Sequence, residues 1–146
     1  MIEILKKIEN INIVEEQEIY KLIDDKVKLL YLTSKIYNNI QELINMQGFE
    51  SDPNYSDFIL EYKAEIVYYI IIALKELNVK PSNLFKINYG FDNTNIYSLL
   101  NYPTSVFEGY KTNKSNSYIN DLMAILKNIV NRKNIYNIYK YLKKGR

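Results

Sequence analysis

The sequence predicts an all-α fold, a single-domain bundle of six or seven helices over residues 1–146 with essentially no sheet. Three observations predict it. The chain of 146 residues leaves room for one domain with one sizeable core. Its 47% hydrophobic and 25% charged residues are typical of a globular protein that folds by itself. Apolar residues recur at steps of three and four through most of the chain, which is the period of an α-helix.

The first helical region covers residues 15–46. Its apolar side chains recur at steps of three, four or seven, which predicts that they share one helical face. They are Ile19, Ile23, Val27, Leu30, Tyr37, Ile40 and Ile44. The pattern predicts one long helix or two in tandem. A break is expected at Asn38 and Asn39, because asparagine competes for backbone hydrogen bonds.

A loop at residues 48–53 precedes the most apolar helix, which is predicted near residues 57–78. We expect Ser56 or Asp57 to cap it. Residues 66–74 are apolar on every side, as expected for a helix that other helices surround. Their β-branched content also fits a strand, but the helix formers on both sides favour a helix. The run is too short to cross a bilayer.

The second half of the chain is predicted to hold the remaining helices. Residues 79–83 form a second break and Gly90 marks a third. Pro103 is expected to kink or split the segment that follows, because proline has no amide hydrogen to donate. An amphipathic helix is predicted over residues 119–129, and a final helix after Asn131.

The composition excludes most catalytic chemistry. The chain has no cysteine, histidine or tryptophan, which removes disulfides, the usual zinc ligands and thiolate or imidazole catalysis. It has no glycine-rich phosphate loop, and the adjacent carboxylates Asp24 and Asp25 point away from each other on a helix. We therefore expect no enzyme, no cofactor and no metal site.

Charge is distributed unevenly along the chain. Residues 1–78 contain 8 basic and 14 acidic side chains, whereas residues 79–146 contain 11 and 3. Two oppositely charged halves can simply attract each other when packed. The alternative is a nucleic-acid interface, because lysines that bind phosphates alternate with tyrosines that stack on bases near the C-terminus. For this alternative the candidate residues are Lys133, Lys140 and Lys144.

Residues 132–139 resemble a motif of the small helical ribonucleases of the HEPN class. That class has an arginine, then a histidine after four residues, then a tyrosine two residues on. Here Arg132 and Tyr139 match, but Asn137 stands at the histidine position. Without the imidazole no residue transfers the proton, so this alternative is a degenerate toxin or antitoxin that dimerises through its C-terminal helices.

Three segments resemble the poxvirus Bcl-2-like family. Residues 19–27, reading IYKLIDDKV, are similar to the first helix of the family. Residues 117–126, reading SYINDLMAIL after Gly109 and a polar loop, are similar to the penultimate helix. Residues 136–139, reading YNIY before a basic C-terminus, are similar to the last helix. The resemblance spans about residues 15–144. It places residues 66–74 in one of the helices that surround the core.

The resemblance implies a virus-encoded protein without catalytic activity. Such proteins bind host proteins and inhibit apoptosis, by holding a death-motif helix in an apolar groove, or inhibit innate NF-κB signalling. Residues 88–90 stand where cellular relatives have an Asn-Trp-Gly-Arg motif, and Phe91 replaces the arginine that pairs with an acidic residue of the bound helix. The groove residues expected here are Tyr62, Ile66, Tyr69, Asn88, Tyr89, Gly90 and Tyr97.

The ends of the chain show no targeting signal. Residues 1–7 lack the apolar stretch and cleavage site of a secretory signal, and residues 141–146 form no lipidation signal or apolar anchor. We therefore expect a cytoplasmic protein, in the host cytosol if the source is a virus. The sequence leaves both a monomer and a dimer open.

Overall fold

The structure, a computed structural model, describes residues 1–11, 18–87 and 115–145. Within these ranges every regular element is a helix, seven in number, which confirms the all-helical prediction for this part of the chain. The helices are α1 (Ile2–Glu9), α2 (Glu18–Leu22), α3 (Asp25–Asn45), α4 (Tyr55–Glu76), α5 (Pro81–Leu84), α6 (Ser115–Ile129) and α7 (Ile135–Lys143). The predictions for Gly90, Pro103 and residues 96–107 lie outside the described residues.

Helix α4 lies at the centre of the bundle. Helices α3, α6 and α7 all pack against it. Residues 66–74 are each no more than 5% exposed, and Ala64 is completely buried. The prediction of a helix that others surround is therefore confirmed. The family resemblance implied that this segment is one of the helices that surround the core. In the described residues it is the central helix instead, because a helix that is apolar on all sides is stable only where neighbours cover every side.

Helix α3 packs on α4 through one line of apolar side chains. We call Leu32, Ile36, Ile40 and Leu43 the inner line; they are between 0 and 2% exposed. Their steps of four and three residues place them on one side of the helix. Of the seven residues predicted to share the apolar face, only Ile40 belongs to this line.

The chain breaks before α3 rather than inside it. Asp24 has an extended backbone (φ −64°, ψ 152°), and its carbonyl oxygen accepts the amides of Val27 and Lys28. The break expected at Asn38 and Asn39 is wrong. The side-chain Nδ2 of Asn39 donates to the carbonyl oxygen of Lys35 at 2.9 Å, so its hydrogen bond stays within the helix instead of competing with it.

Helix α4 has defined ends. It begins at Tyr55 with Asn54 as its N-cap residue, so Ser56 and Asp57 lie in the first turn and the predicted caps are two or three residues too late. At the other end Asn78 has φ +58°. The amide of Val79 donates to the carbonyl oxygen of Leu74 at 2.9 Å, the pattern that closes a helix with a left-handed residue.

The predicted break at residues 79–83 contains the short helix α5, which Pro81 opens at its first position. The carboxylate of Glu9 accepts hydrogen bonds from the Ser82 amide at 2.6 Å and the Ser82 hydroxyl at 2.9 Å. This contact ties α5 to α1, a helix that the sequence reasoning missed. Leu5 and Ile8 of α1 are completely buried, and α1 also packs against α7.

Helices α6 and α7 confirm the last two predicted elements. The turn between them is closed by asparagines: Asn131 Oδ1 accepts the amides of Lys133 and Asn134, both at 2.9 Å. Asn134 Nδ2 donates to the carbonyl oxygen of Ile129, also at 2.9 Å. Because the turn is fixed, α7 directs one apolar side inward, and Ile138 on that side is completely buried.

Candidate functional site

Helix α3 has a second line of residues that faces away from the core. We call Val27, Leu30, Ser34 and Tyr37 the α3 line. Steps of three and four residues place the four on one side of the helix, over a length of about 15 Å. Val27 is 42% exposed, Leu30 38% and Tyr37 37%. Three large apolar side chains on one exposed helix side form a small apolar strip of the kind that binds partners.

The polar atoms of the α3 line are already hydrogen-bonded. The Ser34 hydroxyl donates to the carbonyl oxygen of Leu30 at 3.0 Å. The Tyr37 hydroxyl accepts Nε2 of Gln41 at 2.8 Å. A partner that covers the line therefore keeps these bonds and needs to supply an acceptor for the Tyr37 O–H, which limits the cost of burying polar atoms.

Two lysines flank the line on the side of Tyr31. Lys35 lies over the Tyr31 ring, with Nζ 5.4 Å from the ring centroid. Lys28 lies 5.2 Å from the centroid of Tyr20 and forms an ion pair with Asp25 at 3.2 Å. An apolar centre with a charged rim is the usual anatomy of a protein–protein interface.

The groove predicted from the sequence is not assembled in the described residues. Ile66 is 0% and Tyr69 3% exposed, and the Tyr69 ring packs edge-on against Tyr68 with centroids 5.0 Å apart. Both side chains belong to the core, which contradicts their assignment to a ligand-binding surface. Asn88, Tyr89, Gly90 and Tyr97 lie outside the described residues.

Among the predicted groove residues that the structure describes, Tyr62 is the one that is not fully buried. It is half-buried, and its ring stacks on Phe58 with centroids 6.5 Å apart and planes at 19°. Burial raises the pKa of its hydroxyl, and the negative charges of Glu42 and Glu61 and a hydrogen bond to Glu42 raise it further. This environment links Tyr62 on α4 to Glu42 near the end of α3.

A buried polar pair joins α3 to α6 beside the inner line. The Thr33 hydroxyl donates to the carbonyl oxygen of Leu29 at 2.7 Å and lies 3.2 Å from the Tyr118 hydroxyl. Burial raises the pKa of Tyr118 to about 12, although the hydrogen bond with Thr33 acts in the opposite direction. The pair has no charged neighbour among its described contacts, so we assign it a structural role.

Helix α7 presents a second distinctive surface. We call Lys133, Tyr136, Lys140, Lys143 and Lys144 the α7 basic face; all five are exposed. Lys140 Nζ lies 5.0 Å from the Tyr136 ring centroid. The three lysines predicted for nucleic acid, at positions 133, 140 and 144, therefore share one surface.

The residues of the HEPN-like pattern lie on the same helix and its preceding turn. Arg132 and Asn137 are exposed, whereas Tyr139 is half-buried against the core with Lys143 Nζ 5.7 Å from its ring centroid. The structure holds one chain, and the predicted dimer through these helices stays a prediction.

A surface cavity of about 540 Å³ lies between the turn from α4 to α5 and helix α6. Asn78, Asn83 and Asn120 contribute amide groups to its lining, and Ile87 and Ile119 contribute apolar surface. Lys80 is the one charged side chain among the described lining residues. Among the described lining residues there is no acid beside a base.

The described residues contain no candidate metal cluster and no candidate membrane span. No three of their acidic side chains come close enough together to hold a metal ion. None of their helices is long and apolar enough to span a membrane. Comparison of the chain with protein-family models, curated proteins and solved structures gave no significant match. The surfaces of α3 and α7 are therefore the candidate sites in the described part of the chain.

Proposed function

We propose that the protein is a non-catalytic binding domain of the Bcl-2-like kind, encoded by a virus, that binds a helix of a host protein and so inhibits apoptosis or innate NF-κB signalling. The observation that carries the proposal is the α3 line, an exposed apolar strip on a helix whose opposite side already holds it in the bundle. The host pathway comes from the family resemblance alone.

The partner is an amphipathic helix. Residues on the α3 line repeat at three and four positions, and a partner helix with the same repeat packs its ridges between them. The available length of about 15 Å matches about ten residues, or three turns, of such a helix. Tyr37 is the expected anchor, since tyrosine is among the side chains that dominate interface energies.

Charge restricts the partner further. Lys35 has no carboxylate partner among the described residues, and its ammonium group lies over the Tyr31 ring. An acidic side chain next to the apolar stripe of the partner would pair with it. A death-motif helix has both features: an apolar stripe and an adjacent acid. Lys35 thereby takes the role of the arginine for which Phe91 stands in the resemblance.

Calorimetric titration of the intact protein against a panel of death-motif helices tests the proposal. We expect a dissociation constant in the micromolar range, about −8 kcal/mol, for at least one peptide. Tyr37→Ala should weaken that binding by about ten-fold or more, because it removes the anchor. The control is Tyr136→Ala, which deletes the more exposed tyrosine on α7 and should leave peptide binding unchanged.

Two results contradict the proposal. No binding by a folded, helical wild-type protein excludes death-motif helices as the ligand. Equal losses in Tyr37→Ala and Tyr136→Ala place the binding site elsewhere. Light scattering completes the test: a dimer that Tyr37→Ala dissociates would assign the α3 line to a second copy of the chain instead of a host helix.

A further inference from the structure

The two sides of α7 have different environments. Ile135, Ile138 and Leu142 are at most 4% exposed and pack into the core. The outward side consists of the α7 basic face. Because the apolar side is used within the fold, α7 has no free apolar face with which to insert into a lipid surface. The outward side must act through its charges and its tyrosine.

The charges of the α7 basic face are not neutralised by the described part of the molecule. None of the acidic side chains within residues 1–11, 18–87 and 115–145 forms an ion pair with Lys133, Lys140 or Lys144. The sequence also has no acidic residue after Asp121. The surface therefore attracts anions.

The aromatic part of the face is also exposed. Tyr136 is 54% exposed, the largest value among the described tyrosines. Its ring centroid lies 6.5 Å from that of Tyr139, with the planes at 37°, and Lys140 and Lys143 each approach one of the two rings. Each ring thus has a lysine beside it, which is the arrangement that combines base stacking with phosphate contact.

We propose that the α7 basic face binds single-stranded nucleic acid. Lys133, Lys140, Lys143 and Lys144 contact successive phosphates, and Tyr136 stacks on a base. This activity is separate from the helix-binding function of the α3 line and uses none of its residues. Single strands are favoured over duplexes because an exposed tyrosine ring on a helix surface needs an unstacked base.

Fluorescence anisotropy with a labelled oligothymidylate of about 20 nucleotides tests this inference. If about four phosphates are contacted, affinity should fall about fifty-fold between roughly 50 and 200 mM salt. Tyr136→Ala should weaken binding about ten-fold, whereas Tyr136→Phe, which keeps the ring, should bind as the wild type does. Tyr37→Ala on the α3 line is the negative control.

The lysines are tested with a charge-matched pair of variants. Replacing Lys140 and Lys144 by glutamine should lower the magnitude of the salt slope by about 1.4. The same change at Lys80 and Lys86, which are also exposed, should leave the slope unaltered. Far-UV circular dichroism on every variant confirms that the helices are intact.

Three outcomes overturn the inference. The first is the absence of binding to the oligomer at low salt. The second is equal affinity for polyglutamate, which would mean that the face recognises any polyanion. The third is binding to vesicles of anionic lipid without binding to the oligomer. Because the α3 line and the α7 basic face are tested by different variants and different ligands, failure of one proposal leaves the other standing.

Discussion

The two apolar lines of α3 differ in environment although they lie on one helix. The inner line is between 0 and 2% exposed, whereas the apolar members of the α3 line are between 37 and 42% exposed. Both lines repeat at steps of three and four residues. A helix needs one such line to be held in a bundle, so the second line is free to serve a partner.

Periodicity in a sequence identifies a helix without identifying which side of the helix is buried. Val27, Leu30 and Tyr37 fit the helical period as well as Leu32 and Ile36 do. The side that is buried is decided by the neighbour, α4, which has no polar side over residues 66–74. Substitutions in the two lines should therefore act on different quantities: stability for the inner line and affinity for the α3 line.

The largest effect is expected in the inner line. Ile36→Ala should lower the free energy of unfolding by about 2–5 kcal/mol, because Ile36 is only 1% exposed and its removal leaves a cavity. Leu30→Ala is the matched control and should change it by less than about 0.5 kcal/mol. Urea denaturation followed by circular dichroism measures both. Equal losses in the two variants would mean that the lines do not differ.

A smaller effect is expected at the polar pair beside the inner line. The pKa of Tyr118 is raised from 10.0 to about 12, so the folded state favours the neutral hydroxyl. The resulting contribution to the free energy of unfolding is fully present below pH 10. It is lost as the pH rises through about 12, and the total loss is about 3 kcal/mol.

Tyr118→Phe provides the control for this alkaline loss, because it removes the titrating hydroxyl. The unfolding free energy of wild type minus that of Tyr118→Phe should fall by about 3 kcal/mol from pH 9 to pH 12 and above. Taking the difference cancels the opposing contribution of Lys63, whose pKa burial lowers. A difference that stays constant with pH would show that Tyr118 is ionised as readily in the folded protein as in the unfolded chain.

The sequence predicts the helices better than the surfaces. Residues 66–74 can be placed in the core because nine successive apolar residues leave no side for water. The same property removes Ile66 and Tyr69 from any groove, which the family resemblance does not reveal. Helix α1 is not predicted from the sequence, because it is only eight residues long and its helical spacing rests on few apolar side chains, Leu5 and Ile8 among them.

The basic surface could be predicted because it depends on composition. Every charged side chain after Asp121 is a lysine or an arginine, so no acidic side chain in this stretch neutralises them. Their grouping on one side of α7 follows from the positions of Ile135 and Ile138, which bury the other side. The α3 line could not be predicted, since its exposure depends on how α2, α3 and α4 pack, and that is a property of the tertiary structure.

The most direct measurement is made on a single variant, Leu30→Glu, with both the free energy of unfolding and the affinity for the best-binding peptide determined on the same sample. If the α3 line serves a partner, stability should stay within about 0.5 kcal/mol of wild type, and affinity should fall about ten-fold or more. Ile87→Glu, at an exposed isoleucine away from α3, should change neither. A stability loss of about 2 kcal/mol or more in Leu30→Glu, or unchanged peptide binding, would contradict the assignment of the α3 line to a partner.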